Sequence, residues 1–281
     1  MTAAFPIEGY RVRRNTSGVV DTLFIPNKET PEEIDARLKD VFNVLDTLTN
    51  SCITGHSRSL IVSGPPGLGK SYSVDQRLQQ WNPEGDKYCI AKGFVRPTGL
   101  YKLLHKYRDE GQVIVFDDAD TIFYDDTALN LLKAVCDTTK VRNVSWLSES
   151  RMVDENEDKL PRSFVFKGSI IFITNLDFDD LINKGHKLTP HLQALVSRSH
   201  YIDLGLKSKQ DYLVRIRQVI EQGMLEQFSD NDREELYSFM VEKQNSLREL
   251  SLRMAIKLAS IKTTDASNWK KIATVTCCRL T

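Results

Sequence analysis

The first two thirds of the chain alternates short apolar runs with segments whose apolar residues recur at helical spacing. Apolar runs such as residues 60–62 and 113–116 are typical of buried strands, and the periodic segments between such runs are typical of helices. Strands that alternate with helices indicate a parallel sheet with helices on both faces. The pattern therefore predicts an α/β fold.

Individual elements follow from local signals. A proline near the start and acids in the first turn predict a helix over residues 29–50. Further helices are expected over residues 71–80, over TGLYKLLHKYRDEG with Gly111 closing it, and near residues 125–139. Strands are expected in KYCIAKGFV, QVIVFDDAD and SIIFITN, and a hairpin is expected from NVSWLSES and RSFVFKG.

From Lys207 onward the pattern changes to helices only. Four amphipathic segments follow one another: KQDYLVRIRQVIEQGM, DREELYSFMVEK, SLRELSLRMAIKLASI and NWKKIATVTCCR. The change in pattern predicts a domain boundary near residue 206. We expect an N-terminal segment of irregular structure or short strands over residues 1–32, an α/β domain over 33–206 and a small all-helical domain over 207–281.

One predicted strand-to-helix connection, in LIVSGPPGLGKSY, is rich in glycine. Gly64, Gly69, Lys70 and Ser71 have the G-x-x-x-x-G-K-S/T spacing of the phosphate-binding P-loop. Backbone N–H groups cradle phosphates in such loops, and the N-terminus of the next helix adds its positive dipole. The loop predicts binding of a nucleoside triphosphate by Lys70, by the amides of residues 65–71 and by a wider set that comprises Gly64, Pro65, Pro66, Gly67, Leu68, Gly69, Lys70, Ser71 and Tyr72.

The apolar run VIVF ends in acids, which supplies the second element that a P-loop ATPase needs. Such enzymes hold Mg²⁺ with an acid at the carboxyl end of a strand beside the loop. We predict that Asp117 and Ser71 hold Mg²⁺ and that Asp118 orients the attacking water. Asp120 is expected to cap the next helix or contact the sheet edge, outside the catalytic set.

Composition restricts the partners and the compartment. The 38 Lys plus Arg balance 38 Asp plus Glu in 281 residues, so no overall field attracts nucleic acid or membrane, and any DNA contact has to be local. No apolar stretch approaches the ~18 residues of a membrane span. Five cysteines without metal-ligand spacing suit a reducing compartment. These features predict a cytoplasmic protein.

Four motifs in order, GPPGLGKS, VIVFDDAD, FITN and ALVSR, followed by an all-helical tail, resemble the AAA+ ATPases from about residue 33 onward. The segments around KGFVRPTGLYKLLHKYRDEGQVIVFDDAD and FKGSIIFITN look like the AAA+ ATPases encoded by tailed bacteriophages. The resemblance implies an ATP-binding, Mg²⁺-dependent ATPase with a helical lid. It also implies a homo-oligomer, expected to be a ring, in the host cytoplasm if the protein is viral.

The same resemblance implies roles for three polar residues. Asn175 matches the sensor 1 residue near the γ-phosphate, with capping of the next turn as the alternative. Arg198 matches the arginine finger that reaches the neighbouring subunit's ATP, a task that suits a permanently charged, bidentate guanidinium. An ordinary surface arginine is the alternative. Arg253 matches sensor 2, with Arg248 as its rival.

Two segments leave alternatives open. Most AAA+ proteins have Asp-Glu where this chain has Asp117 and Asp118, and the shorter side chain implies weaker or shifted water activation; replication initiators and helicase loaders also carry Asp-Asp. In KGFV, Phe94 and Val95 fit a pore loop that grips a polypeptide. Two alternatives stay open: Lys92 contacts phosphate instead, or Phe94 is buried in the core. The acidic hairpin tip RMVDENEDKLPR is predicted to be a solvated loop and a poor DNA probe.

Three functions are compatible with these residues. The first is a ring-forming remodeller of a protein or nucleoprotein. The second is a phage DNA replication or recombination motor or loader, which the neutral net charge opposes. The third is a nucleotide-switched assembly factor that hardly hydrolyses ATP.

Overall fold

The computed structural model describes residues 10–14, 20–24, 29–148, 152–154, 157–185, 188–206 and 208–279. The strands are β1 (Tyr10–Arg14), β2 (Val20–Phe24), β3 (Ser59–Ser63), β4 (Tyr88–Lys92), β5 (Val113–Asp117), β6 (Arg142–Ser145), β7 (Ser163–Phe166), β8 (Ser169–Thr174) and β9 (His200–Asp203). The helices are α1 (Pro31–Ile53), α2 (Lys70–Trp81), α3 (Pro97–Lys106), α4 (Asp126–Val135), α5 (Phe178–Asn183), α6 (Thr189–Val196), α7 (Lys209–Glu221), α8 (Asp230–Glu242), α9 (Leu252–Thr264) and α10 (Trp269–Cys277).

A five-stranded sheet in the order β4-β5-β8-β3-β9 forms the centre of the fold, and every pairing in it is parallel. Its middle strands β3, β5 and β8 are buried along their whole length. Along β3, Leu60 and Val62 pack with α1 and α2, while Ile61 packs with α3 and α4 on the other face. Burial on both faces explains the continuous apolar runs. The predicted α/β fold with a P-loop and parallel sheet is confirmed.

This topology brings the polar segments of the sequence together. The P-loop follows β3, Asp117 ends β5 and Asn175 follows β8, and these three strands are neighbours in the order β5-β8-β3. All of them run in the same direction, so their carboxyl ends lie at one edge of the sheet. Ligands bind at this edge in open α/β sheets.

Four helices, α7 to α10, follow the sheet and enclose a hydrophobic core of their own. Serine caps define where three of them begin, because Ser208, Ser229 and Ser251 each accept from a backbone N–H three residues later. The predicted all-helical character of this region is confirmed. The predicted boundary at residue 206 stays a prediction, and Lys207 lies outside the described residues.

Two predicted helices are shorter than expected. The third ends at Lys106 and does not reach Gly111, because the Arg108 carbonyl turns to accept the amides of Lys167 and Gly168. The fourth ends at Val135, because Arg58 Nη1 donates to the carbonyl oxygens of Asp137 and Thr139, at 2.6 Å each. Tertiary donors that the local pattern does not show therefore set both ends.

The two antiparallel pairs agree with the sequence pattern. Strands β6 and β7 form the predicted hairpin, and a bridge between Val153 and Lys159 continues it towards the acidic tip. In the N-terminal segment β1 pairs with β2; the predictions for residues 1–9, 15–19 and 25–28, and for residues 151, 155 and 156 of the tip, lie outside the described residues.

All five cysteines are free thiols. Across the described ranges, none of the helices has both the length and the apolar character needed to cross a bilayer.

Candidate nucleotide-binding site

The P-loop lies against the helical region, and its glycines permit this approach. A Cβ at Gly67 would stand 2.6 Å from the Ser251 Cβ, and the φ of Gly67 is +79°. Both facts exclude a larger residue there. The prediction that the amides of residues 65–71 bind phosphate needs correction, because prolines have no backbone N–H. Only the amides of residues 67–71 remain as donors.

Lys70 begins α2 and is buried, with 5% of its surface exposed. Its Nζ donates to the carbonyls of Gly64 and Pro65 and to Asn175 Oδ1 at 2.9 Å. Burial lowers the pKa of Lys70 to about 8, and the charges of Asp118 and Asp117 oppose this shift. Gly64 and Pro65 therefore position the lysine with their carbonyls, and neither lines the pocket described below.

Asn175 connects Lys70 to Asp118. Its Oδ1 accepts from the Lys70 ammonium, and its Nδ2 donates to Asp118 Oδ1 at 2.8 Å. A cation on one side and a carboxylate on the other fix the orientation of the amide. Asp118 has a φ of +53° and its amide donates to the Ile173 carbonyl. This left-handed backbone is rare outside glycine, and such conformations cluster at functional sites.

Asp117 and Ser71 form the oxygen pair that the sequence predicts for Mg²⁺. Ser71 Oγ donates to Asp117 Oδ1 at 2.7 Å, while Lys92 Nζ lies 3.0 Å from Asp117 Oδ2. Within the described ranges no cluster of three or more His, Cys, Asp or Glu side chains could hold a metal. Mg²⁺ is commonly held by one or two carboxylates together with substrate phosphates and water, so this pair fits the ion.

Asp120 stands apart from these groups. It begins a short 3₁₀ helix and accepts from Thr174 Oγ1 at 2.6 Å. Burial and the neighbouring Asp118 raise its pKa, and the bond from Thr174 opposes that shift. This contact with β8 agrees with its placement outside the catalytic set.

A cavity of about 290 Å³ lies between the P-loop and the helical region. Its walls bring together ten of the predicted residues: Pro66, Gly67, Leu68, Gly69, Lys70, Ser71, Tyr72, Asp118, Asn175 and Arg253. Four apolar side chains also line it: Val219 of α7, Met224 from the turn after α7, and Leu252 and Ile256 of α9. The cavity is therefore charged at one end and apolar at the other.

Arg253 and Arg248 occupy different environments. Ser251 caps α9, so Arg253 lies in the first turn of that helix and lines the cavity. Arg248 precedes the helix, and its amide donates to the Cys277 carbonyl. Of the two sensor 2 candidates, only Arg253 is beside Lys70, whose pKa its charge lowers.

Arg198 does not lie in the cavity. Its carbonyl accepts from Ser59 at the amino end of β3, and its Nη1 donates to the Ala194 carbonyl. The P-loop begins at the other end of β3, roughly 13 Å away at a rise of about 3.3 Å per residue. Arg142, the other arginine that could serve as a finger, is buried and donates to the carbonyls of Val135 and Gly168. It therefore supports the hairpin and is not available to a neighbouring subunit.

Sequence reasoning missed Arg215 of α7, which contacts the outside of the P-loop. The side chain is 3% exposed, its Nε donates to the Leu68 carbonyl at 3.3 Å, and its guanidinium lies 3.2 Å from the Phe42 ring centre. Burial lowers the pKa of Arg215 to about 10, and Asp46 opposes the shift. An arginine at an apolar-face position of a helix was the available signal.

The neighbourhood of Arg215 extends this contact. Gln218 accepts from the Arg215 guanidinium and donates to Asp35 of α1. The Leu252 amide donates to the Gly67 carbonyl at 2.9 Å. Helices α7 and α9 therefore hold two consecutive P-loop carbonyls.

Arg215→Ala is expected to lower the free energy of unfolding by about 2–4 kcal/mol, because it leaves a cavity beside Phe42 and removes donors from the Leu68 carbonyl and Gln218. Chemical denaturation measures the change. Arg217→Ala, two residues away and partly exposed in ion pairs with Glu221 and Glu234, is the control and should cost less than about 1 kcal/mol. Equal losses would contradict a special role for Arg215.

No protein-family model matches the chain. The chain is 42% identical over 251 residues to the "Uncharacterized 36.7 kDa protein in nrdC-mobD intergenic region" of Enterobacteria phage T4, an alignment that covers 88% of this chain and 76% of that protein.

Two solved structures are similar at low identity. A mutant of Thermotoga maritima RuvB has a TM-score of 0.48 at 12% identity and covers 88% of this chain and 72% of its own. NtrX from Brucella abortus in complex with ADP has a TM-score of 0.45 at 12% identity, with coverage of 80% and 51%.

Proposed function

We propose that this chain, which belongs to the same protein family as the 36.7 kDa phage T4 protein, is an AAA+ ATPase that binds and hydrolyses ATP at the P-loop. One observation carries the proposal. Asn175 links the buried Lys70 to Asp118 at the ends of three neighbouring strands. A cation for phosphates, a carboxylate for water and an amide between them are the groups that phosphoryl transfer requires.

The charged and apolar parts of the cavity would orient ATP along it. The amides of residues 67–71 and the Lys70 ammonium would hold the phosphates at the charged end. The apolar side formed by Val219, Met224 and Ile256 would receive the base. The second ligand is Mg²⁺, which Ser71 and Asp117 would hold and which neutralises developing phosphate charge when bound.

Hydrolysis is assigned to Asp118 and Asn175. Asp118 is exposed at the cavity wall, so its carboxylate is accessible to a water molecule. Asn175 fixes the Asp118 carboxylate by donating to Oδ1, which leaves Oδ2 to accept a proton from water. Phosphoryl transfer then proceeds by positioning and charge stabilisation.

Asp118→Asn is expected to keep ATP bound and to slow hydrolysis by about a hundredfold or more, as removal of a general base does. Nucleotide titration and single-turnover hydrolysis measure the two quantities. Asp120→Asn is the matched control and should retain turnover, since Asp120 is bonded to Thr174. If Asp120→Asn is the slow variant, the assignment moves to Asp120.

Arg253→Ala is expected to weaken ATP binding about tenfold or more, because a charged hydrogen-bond donor is lost from the cavity wall. Arg248→Ala should leave the affinity unchanged, since Arg248 does not line the cavity. Titration with a fluorescent ATP analogue compares both variants with the parent. A larger loss in Arg248→Ala would reverse the sensor 2 assignment.

The wider proposal is a homo-oligomeric ring in which Arg198 completes the neighbouring site and ATP drives remodelling of a protein or nucleoprotein. Turnover measured with and without single-stranded DNA, beside the assembly size with ATP, tests it. Turnover only in the assembled state supports the ring. DNA-stimulated turnover favours a phage replication or recombination motor or loader, and negligible turnover in an assembled ring favours a nucleotide-switched assembly factor. Cytoplasmic location and absence of membrane contact stay predictions.

A further inference from the structure

A local charge excess stands out in a chain whose formal net charge is zero. The segment over residues 87–108 contains no Asp or Glu. It carries six cationic residues: Lys87, Lys92, Arg96, Lys102, Lys106 and Arg108. Lys92 is paired with Asp117, and Arg108 lies 4.0 Å from Asp109. We call Lys87, Arg96, Lys102, Lys106 and Arg108 the basic edge.

The basic edge lies along one side of the sheet. Strand β4 is the last strand of the sheet on this side, and α3 follows it through the exposed residues 92–94. A groove of about 570 Å³ runs beside α3. Its lining includes Gly99 and the cations Lys102, Lys106 and Arg108. Among the described residues, Asp154 is the one carboxylate that lines the groove, against three cations.

An aromatic ring stands beside these charges. Phe94 is 70% exposed, which excludes the alternative that it is buried, while Val95 packs against the core. The Arg96 guanidinium lies 5.9 Å from the centre of the Phe94 ring. A solvent-exposed ring next to cations is the arrangement on which unpaired bases stack while their phosphates meet the charges.

Gly99 adds an independent observation. It lies within α3 in helical conformation, where glycine is less stable than alanine, and a Cβ there would meet nothing within 4 Å. Neither packing nor backbone geometry of the chain explains it. Gly99, Lys102 and Lys106 are three and four residues apart and share one face of the helix, and Arg96 is the N-cap residue three positions before Gly99. A glycine between cations on that face permits close approach of a ligand backbone.

We propose that the basic edge binds single-stranded nucleic acid, with phosphates on Arg96, Lys102 and Lys106 and a base stacked on Phe94. The alternating charge and ring favour this ligand over a polypeptide, which lacks regular negative charge. A paired duplex would not offer its base faces to Phe94. The inference deepens the proposed function by naming the substrate class, yet binding at this edge does not require hydrolysis.

Fluorescence anisotropy of labelled oligothymidylate and oligouridylate, with the nucleotide-free full chain over a salt series, tests the proposal. Arg96→Ala and Lys102→Ala should each weaken binding and reduce the slope of log affinity against log salt by about 0.7, as loss of one phosphate contact on a single strand does. Lys271→Ala, which removes an exposed lysine from α10, is the control and should change neither. Preference between the two probes distinguishes DNA from RNA.

Phe94 variants separate stacking from hydrophobic gripping. Phe94→Ala should weaken oligonucleotide binding by about fivefold to 150-fold, Phe94→Tyr should retain it, and Phe94→Leu should lose it because leucine has no π-face. An absence of binding at low salt, or affinity unchanged in Arg96→Ala and Lys102→Ala, overturns the proposal. Binding of unfolded casein would also overturn the proposal if Phe94→Ala removes that binding and Phe94→Leu preserves it. This result would assign the basic edge to polypeptides.

ATP titration of the same samples distinguishes this inference from the proposed function. The edge variants should bind ATP like the parent, because none of the altered residues lines the P-loop cavity. Oligonucleotide binding by a parent chain that fails to bind ATP would refute the proposed function alone. ATP binding without oligonucleotide binding would refute the basic edge alone.

Discussion

Lys70→Ala is expected to remove measurable ATP binding. The ammonium is the buried cation at the charged end of the cavity, and it is held there by two carbonyls and Asn175. A hydrogen bond to a charged group contributes about 1.5–3 kcal/mol, so loss of contacts to two phosphates weakens affinity by at least about a hundredfold. Isothermal titration with ATP and Mg²⁺ measures the effect.

Controls separate lost binding from lost structure. Thermal unfolding of Lys70→Ala without nucleotide should remain cooperative, because the substitution removes a desolvated charge and leaves the sheet core intact. Lys257→Ala on α9 removes an exposed lysine paired with Glu249 and should bind ATP normally. Parent-like affinity in Lys70→Ala would refute the P-loop assignment.

Arg198→Ala is expected to bind ATP normally and to lose about 10³–10⁵ in turnover, the value of an arginine finger in phosphoryl transfer. The reason is its position at the amino end of β3, remote from its own P-loop. In an oligomer that residue would meet a neighbour's γ-phosphate. Steady-state turnover measured above the concentration needed for assembly gives the loss.

Mixing two inactive variants tests action between subunits. Lys70→Ala lacks a usable site but keeps Arg198, whereas Arg198→Ala keeps the site and lacks the finger. Mixed oligomers should recover part of the turnover. If mixed oligomers form and stay inactive, Arg198 does not act in trans. Arg142 cannot replace it as a finger, because its buried guanidinium donates to two backbone carbonyls. A mechanism within one subunit then has to be tested.

Some residues of the candidate site are predictable from the sequence and others are not. Asp117 ends β5, Asn175 directly follows β8, and Lys70 follows β3 through the P-loop, so strand order brings the three together. Arg215 and Lys92 differ, because their contacts join segments that have no fixed spacing in sequence. The end of α3 was missed for a similar reason, since a carbonyl near it is bound by amides beyond β7.

The arrangement of peptide planes in the P-loop has a mechanical consequence. The Gly67 carbonyl shares one rigid plane with the Leu68 N–H, and the Leu68 carbonyl shares the next plane with the Gly69 N–H. Each carbonyl is bound on the helical side, by the Leu252 amide and by Arg215. In a trans peptide the N–H points opposite to the C=O, so these bonds orient both N–H groups away from α7 and α9. Rotating either peptide plane away from an anion breaks its hydrogen bond to α7 or α9. A movement of these helices would therefore reorient the N–H groups of the loop.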